Sequence, residues 1–167
     1  MVIRDSQYPR LPRMYWGELI YATPGCGKTY VANKYRDVVD GDDLIVKAIS
    51  EVSPEFDHGY YDDPRKVIHR YFRYIHFNPA KKWRMYKAAL RKMNKACSID
   101  DVVLFGTLDL MHEADRIFLE KDTYYVREGF EEKQDREEEK ADDLEEQVPV
   151  HNIYEYLDNS LQRICSS

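Results

Sequence analysis

The stretch from Glu18 to Asp43, ELIYATPGCGKTYVANKYRDVVDGDD, constrains this chain more than any other. Leu19-Ile20-Tyr21-Ala22 is a short apolar run of the kind that forms a buried strand, and it gives way at once to Thr23-Pro24-Gly25-Cys26-Gly27. Lys28 and Thr29 follow, and Tyr30 to Arg36 is compatible with a helix. The order is strand, tight loop, helix. Glycines at 25 and 27 let backbone N–H groups turn inward around an anion, because glycine takes the required dihedrals without strain. A helix starting near Lys28 adds its positive N-terminal end to the same spot. Val38-Val39 then reads as a second short strand, ending in Asp40-Gly41-Asp42-Asp43 and closing a βαβ unit.

The loop spells A-T-P-G-C-G-K-T, which matches the P-loop pattern except at its first position, where Ala22 replaces glycine. That pattern makes Pro24, Gly25, Cys26, Gly27, Lys28, Thr29 and Tyr30 the phosphate-binding residues for a nucleoside triphosphate. Lys28 reaches the β- and γ-phosphates, and the Thr29 hydroxyl ligates Mg²⁺. Cys26 is a small filler within the loop, since nothing there demands a thiol.

The acidic turn points to a kind of P-loop protein. An Asp-x-Asp at the end of the strand after the P-loop helix resembles the P-loop small-molecule and nucleotide kinases. These include shikimate, gluconate and adenylylsulfate kinases, polynucleotide kinases and phage deoxynucleotide kinases. The resemblance implies a P-loop NTPase α/β fold of three layers, α/β/α, around a mainly parallel, roughly five-stranded sheet. It implies ATP and Mg²⁺ as cofactors, Asp40 holding a metal-bound water, and Asp42 orienting or deprotonating the acceptor hydroxyl. The plain alternative is an acidic turn entering a helix, with Asp42 or Asp43 as its N-cap.

Composition sets the outer bounds. At 167 residues, 43% of them hydrophobic, the chain suits a single domain over 1–167 and is not wholesale disordered. No apolar run approaches the ~18 residues of a membrane span. The N-terminal MVIRDSQYPRLPRMYWGE carries charges and two prolines where a secretion signal needs an apolar core. Cys26, Cys97 and Cys165 are far apart and odd in number, which fits reduced thiols in a cytoplasmic compartment, the host cytoplasm if the source is viral.

The net charge of −6 conceals two opposed blocks. From Pro64 to Ala96 there are eleven Lys/Arg and no acid, whereas Arg127 to Glu146 holds eleven acids against four bases. The basic block carries two helix starts, Asp63-Pro64 running to about Phe77 and Asn78-Pro79 running to about Lys95. A shorter helical pattern covers Leu44 to Glu51. Strands are expected near 19, 38, 103, 117 and 149, with a final amphipathic helix capped by Asn152. By position, 44–97 takes the place of a helical acceptor-binding insertion and 122–146 that of a charged lid-like segment.

Within the basic block, cations alternate with Tyr71, Phe72, Tyr74, Phe77, Trp83 and Tyr86. Most of these are expected to be ordinary helix faces. The absence of any acid still favours an anionic acceptor, with Arg70 and Arg73, one turn apart, to grip it. His69 and His76 are read as packing or surface residues, too few for a metal site. Thr107, just past the apolar Val102-Val103-Leu104-Phe105, is a further acceptor or phosphate contact. Asp109 lies beyond that strand's end and ranks below Asp40 as a metal-side carboxylate. In the lid-like segment Arg127 is the candidate that closes over the transferring phosphoryl group, whereas Arg136 is read as part of a solvated helix.

The expectation is therefore an ATP-dependent kinase acting on a small, phosphorylated acceptor, a nucleoside monophosphate first. Its partners are a nucleoside triphosphate and that anionic acceptor, with no membrane; the oligomeric state is left open. A polynucleotide 5′-hydroxyl kinase is the alternative within the class, in which the basic aromatic helices hold a nucleic acid. A P-loop ATPase or nucleotide-binding module without an acceptor is the alternative outside it.

Overall fold

Residues Glu18–Ala22 alternate between two apolar faces, and that alternation organises the molecule. The computed structural model describes residues 17–23, 32, 37–57, 59, 63–97, 102–119 and 131–152, the side chains of 131–134, 151 and 152 excepted. The strand β1 (Glu18–Ala22) pairs in parallel with β3 (Val102–Phe105) on one side and β4 (Arg116–Leu119) on the other. β2 (Val38–Asp40) adds to β3 and β5 (Val150–Asn152) adds to β4, again in parallel, so the order is β2-β3-β1-β4-β5. Parallel strands buried on both faces read as continuous apolar runs, which is what LIYA, VVLF and IFL are.

Leu19 and Tyr21 join Val103, Phe105, Ile117 and Leu119 in the larger core. Ile20 and Ala22 join Val38, Leu104 and Phe118 in a smaller core on the opposite face, where Ala32 packs. The larger core is roofed by α1 (Gly41–Val52), α2 (Pro64–Tyr74) and α3 (Pro79–Cys97). A 3-10 helix (Leu108–Glu113) and α4 (Glu131–Leu144) complete it, contributing Leu110, Met111, Ala141 and Leu144. The class is α/β with a mainly parallel sheet. Among the described residues no helix is long and apolar enough to cross a membrane.

Local chemistry sets the helix bounds. Asp63 accepts the Arg65 N–H at 3.0 Å and Pro64 takes the first helical position, so α2 starts where expected. It stops at Tyr74, short of Phe77, because His76 and Phe77 both adopt left-handed φ, 54° and 53°. Asn78 then accepts the Lys81 N–H at 3.0 Å and opens α3. The helix expected from Leu44 begins earlier, at Gly41. The strand expected near 149 is β5, Val150–Asn152, so Asn152 belongs to the strand. The final helix after it lies outside the described residues.

Gly41 is where α1 meets the sheet. A Cβ there would stand 3.0 Å from the Leu104 carbonyl oxygen and 3.0 Å from the Phe105 Cβ, both anchored in β3. Those atoms cannot retreat as a flexible side chain would. Gly41→Ala is therefore expected to lower stability by ~1–3 kcal/mol, the usual cost of overpacking. Urea unfolding measures it, and an unchanged midpoint would show that α1 can lift off β3 freely.

Candidate functional site

Every strand of a parallel sheet presents its carboxyl end at the same edge, where open α/β sheets bind ligands. Here that edge collects three segments. Thr23 follows β1, is buried, and donates its N–H to the Phe118 carbonyl at 3.2 Å. The glycine-rich sequence starts from it. Asp40 ends β2 and Gly41 to Asp43 follow it, and Gly106 to Asp109 follow β3. Pro24, Gly25, Cys26, Gly27, Lys28, Thr29, Tyr30 and Arg127 lie outside the described residues.

Beside this edge lies a cavity of about 840 Å³, within the range of small-molecule sites. One wall is α2, with Arg65, Lys66, His69, Arg70 and Phe72. The other walls are Asp42 from α1, Tyr86 from α3, the Gly106-Thr107-Leu108-Asp109 run, and Arg136 from α4. The α2 side carries Arg65, Lys66 and Arg70 against Asp63, which pairs with Arg65 at 3.3 Å, and the other side carries Asp42 and Asp109 with Arg136. The arrangement suits a ligand anionic at one end and rich in hydrogen-bond donors at the other.

Asp40 and Asp42 divide their work. The Asp40 Oδ1 accepts the Asp42 N–H at 3.0 Å, making Asp40 the N-cap of α1. The capping alternative read from sequence is thus realised two residues earlier than Asp42. Asp42, only 7% exposed, stands in the first turn of α1 on the cavity wall. Its neighbour Asp43 has its carboxyl pushed above the ordinary 3.8, by burial first and then by the Asp42 charge, with Lys47 opposing.

Asp109 is held from behind. Its Oδ2 accepts the Tyr86 hydroxyl at 2.8 Å and lies 3.7 Å from the Lys82 Nζ. Lys82 also sits 4.7 Å above the Phe72 ring, and Phe72 packs edge-on against Tyr86. The segment carrying Asp109 is tied to α4 by Lys140, whose Nζ donates to the Leu108 carbonyl at 2.7 Å.

Of the sequence candidates, Asp42, Arg70 and Thr107 come together on this cavity. Arg73 is exposed and is not among its described lining residues, although it lies one turn from Arg70. Arg136, read from sequence as part of a solvated helix, lines it, and so does His69. His76 lies past the end of α2, so the two histidines do not share a helical face. Asp109 lies beyond β3 as expected, and its importance in the wall comes from Tyr86 and Lys82, contacts that no spacing rule reveals. Among the described residues no cluster of His, Cys, Asp and Glu could hold a metal ion alone. The chain matches no protein-family model and no curated protein.

Two capping aspartates give separable outcomes. Asp40→Ala removes the N-cap of α1 and is expected to cost ~0.5–2 kcal/mol, while Asp40→Asn, which caps equally well, leaves stability nearly unchanged. Asp63 behaves differently with pH. Burial pulls its carboxyl upward, but the Arg65 side-chain and backbone hydrogen bonds, with the Arg65 and Lys66 charges, hold it below 3.8 overall. A depressed folded-state value contributes stability above the unfolded value and loses it as pH falls through the folded one. The stability gap between the parent and Asp63→Ala should therefore narrow below about pH 4, leaving the share of the neutral cap, read from urea midpoints across an acid series.

Proposed function

We propose that this chain is an ATP-dependent phosphotransferase that moves the γ-phosphoryl group to a small, phosphorylated acceptor such as a nucleoside monophosphate. One observation carries the reading: the sequence A-T-P-G-C-G-K-T leaves the carboxyl end of β1, the central strand, at the sheet edge that also carries Asp42 and a cation-walled cavity. A glycine-rich loop alone is a motif. A strand that leads into this loop and ends at the edge carrying a cation-rich cavity, with room for a second, anionic substrate, supports transfer over simple hydrolysis.

ATP with Mg²⁺ supplies the phosphoryl group and neutralises part of its charge. Residues 24–30 hold its phosphates in this reading, with Lys28 against the β- and γ-phosphates and Thr29 as the metal ligand. Asp40 fixes the start of α1 through the Asp42 N–H, and in this reading also holds a metal-bound water. Asp42 orients the attacking oxygen of the acceptor and takes its proton where it carries one. The new bond joins that oxygen to the γ-phosphorus as the bond to the β–γ bridging oxygen breaks, and ADP leaves with the electron pair. Arg70 binds the acceptor's anionic group, joined by Arg73 if its side chain swings inward. Thr107 contacts the acceptor from the strand edge. Arg127 and Arg136 belong to the segment that offsets charge on the transferring group. The size of the cavity favours a mononucleotide over a polynucleotide end.

Lys28→Ala is expected to abolish transfer, because it removes charge stabilisation from the transition state. Asp42→Asn should depress kcat on the order of a hundred-fold or more while ATP affinity changes little, as for a group acting in the transition state. Turnover of ATP-Mg²⁺ against nucleosides, nucleoside monophosphates and 5′-hydroxyl oligonucleotides, with labelled γ-phosphate followed into product, measures both. Near-normal transfer by Lys28→Ala would overturn the reading. So would phosphate release that no acceptor alters, which leaves an ATPase.

A further inference from the structure

The carboxylate of Asp109 has no part in the transfer just described, yet the fold holds it against the cavity. Tyr86, 1% exposed, donates its hydroxyl to Oδ2 at 2.8 Å, and the Lys82 Nζ stands 3.7 Å from the same oxygen. No contact among the described residues engages Oδ1, and the side chain is 45% exposed within the cavity wall. A carboxylate accepts through both oxygens, about four lone-pair sites in all. Fixed from behind and open in front, it is a preset acceptor for a ligand that brings donors.

The neighbouring wall says what shape the donors come on. Phe72 lines the cavity beside Tyr86, and α2 brings Arg70 to the same space. Phe72, one face of which Lys82 covers at 4.7 Å, and Tyr86 make an aromatic wall beside the carboxylate. A flat heterocycle fits against it, hydrogen-bonded by Asp109 and with its phosphate directed to the arginine. We infer that Asp109 is the base-selecting residue of the acceptor site, and that the acceptor is a guanine nucleotide. Guanine presents an adjacent ring N–H and exocyclic NH₂, two donors that a carboxylate takes in a bidentate pair. Adenine and cytosine offer only their amino group beside an acceptor nitrogen. Thymine and uracil place one N–H between two carbonyl oxygens, which a carboxylate repels. Tyr86 is a positioning residue, acting on the base only through Asp109.

This inference rests on the phosphotransferase reading for the acceptor's place, but its test does not need transfer. Titration calorimetry of the full chain with GMP, AMP, CMP and UMP, without ATP, reads the base preference directly. GMP is expected to bind on the order of ten- to a hundred-fold more tightly than UMP, the range for a lost charge-assisted pair. Asp109→Asn should collapse that ratio toward one, since a carboxamide replaces one acceptor oxygen with a donor. Tyr86→Phe should reduce the ratio partly while ATP binding stays unchanged. A folded Asp109→Asn variant, confirmed by its unfolding midpoint, that keeps the GMP preference overturns the inference. So does equal binding of all four nucleotides, or binding of none. Transfer to every base alike would overturn base selection and leave the phosphotransferase standing. GMP-selective binding without transfer would do the reverse.

Discussion

The structure depends on the parallel pairing of β1 with strands on both of its sides. Backbone groups buried that deeply must be hydrogen-bonded, and Ile20 to Ala22 meet the requirement through β3 and β4. Leu19 meets it through Asp115, whose Oδ2 accepts the Leu19 N–H at 2.8 Å and whose N–H donates to the Leu19 carbonyl at 2.7 Å. Parallel pairing also requires each strand to return by a crossover, so every strand ends on one edge and each connection begins there. That is why sequence-distant segments, after Ala22, after Asp40 and after Phe105, are neighbours. Gly41 tightens the convergence by letting α1 start in contact with β3, which brings Asp42 to the cavity wall without exposing it.

Much of this was legible in the sequence, for reasons specific to each element. Strands buried on both faces are short apolar runs: the run Val102–Phe105 is β3 itself, and the strand expected near 117 is Arg116–Leu119. Helix starts marked by Asp-Pro and Asn-Pro were equally plain, because a capping side chain and a proline at the first position are local chemistry. Helix ends were harder. Nothing in Ile75-His76-Phe77 announces two consecutive left-handed residues, a conformation glycine usually supplies. At the start of α1 the sequence offered Asp42 or Asp43 as the cap, whereas Asp40, the last residue of β2, takes that place by accepting the Asp42 N–H.

The cavity was only half legible. A block with eleven cations and no acid told where positive charge would gather, but not which cations face inward. Arg70 faces the cavity and Arg73 does not appear in its described wall, although the two are neighbours on one helix. Arg136 was hidden by its surroundings, since an arginine among glutamates reads as part of a solvated face. Its place on the wall follows from the packing of α4 against the 3-10 helix, a tertiary fact. Asp109 needed Tyr86 and Lys82, which are more than twenty residues away.

The tie between Lys140 and the Leu108 carbonyl has a mechanical consequence. Lys140 sits one turn beyond Arg136 on the same face of α4, and Leu108 lies between Thr107 and Asp109. The contact joins the packing of Ala141 and Leu144 with Leu110 and Met111 in the core, and together they tie the two cavity walls to each other. Across from them the α2 wall offers long arginine and lysine side chains that change length by rotating their own bonds. The compartment works as an anvil and a pliable jaw. In the proposed transfer, fine discrimination of shape falls to the tied side, and tolerance for where an anion sits falls to α2.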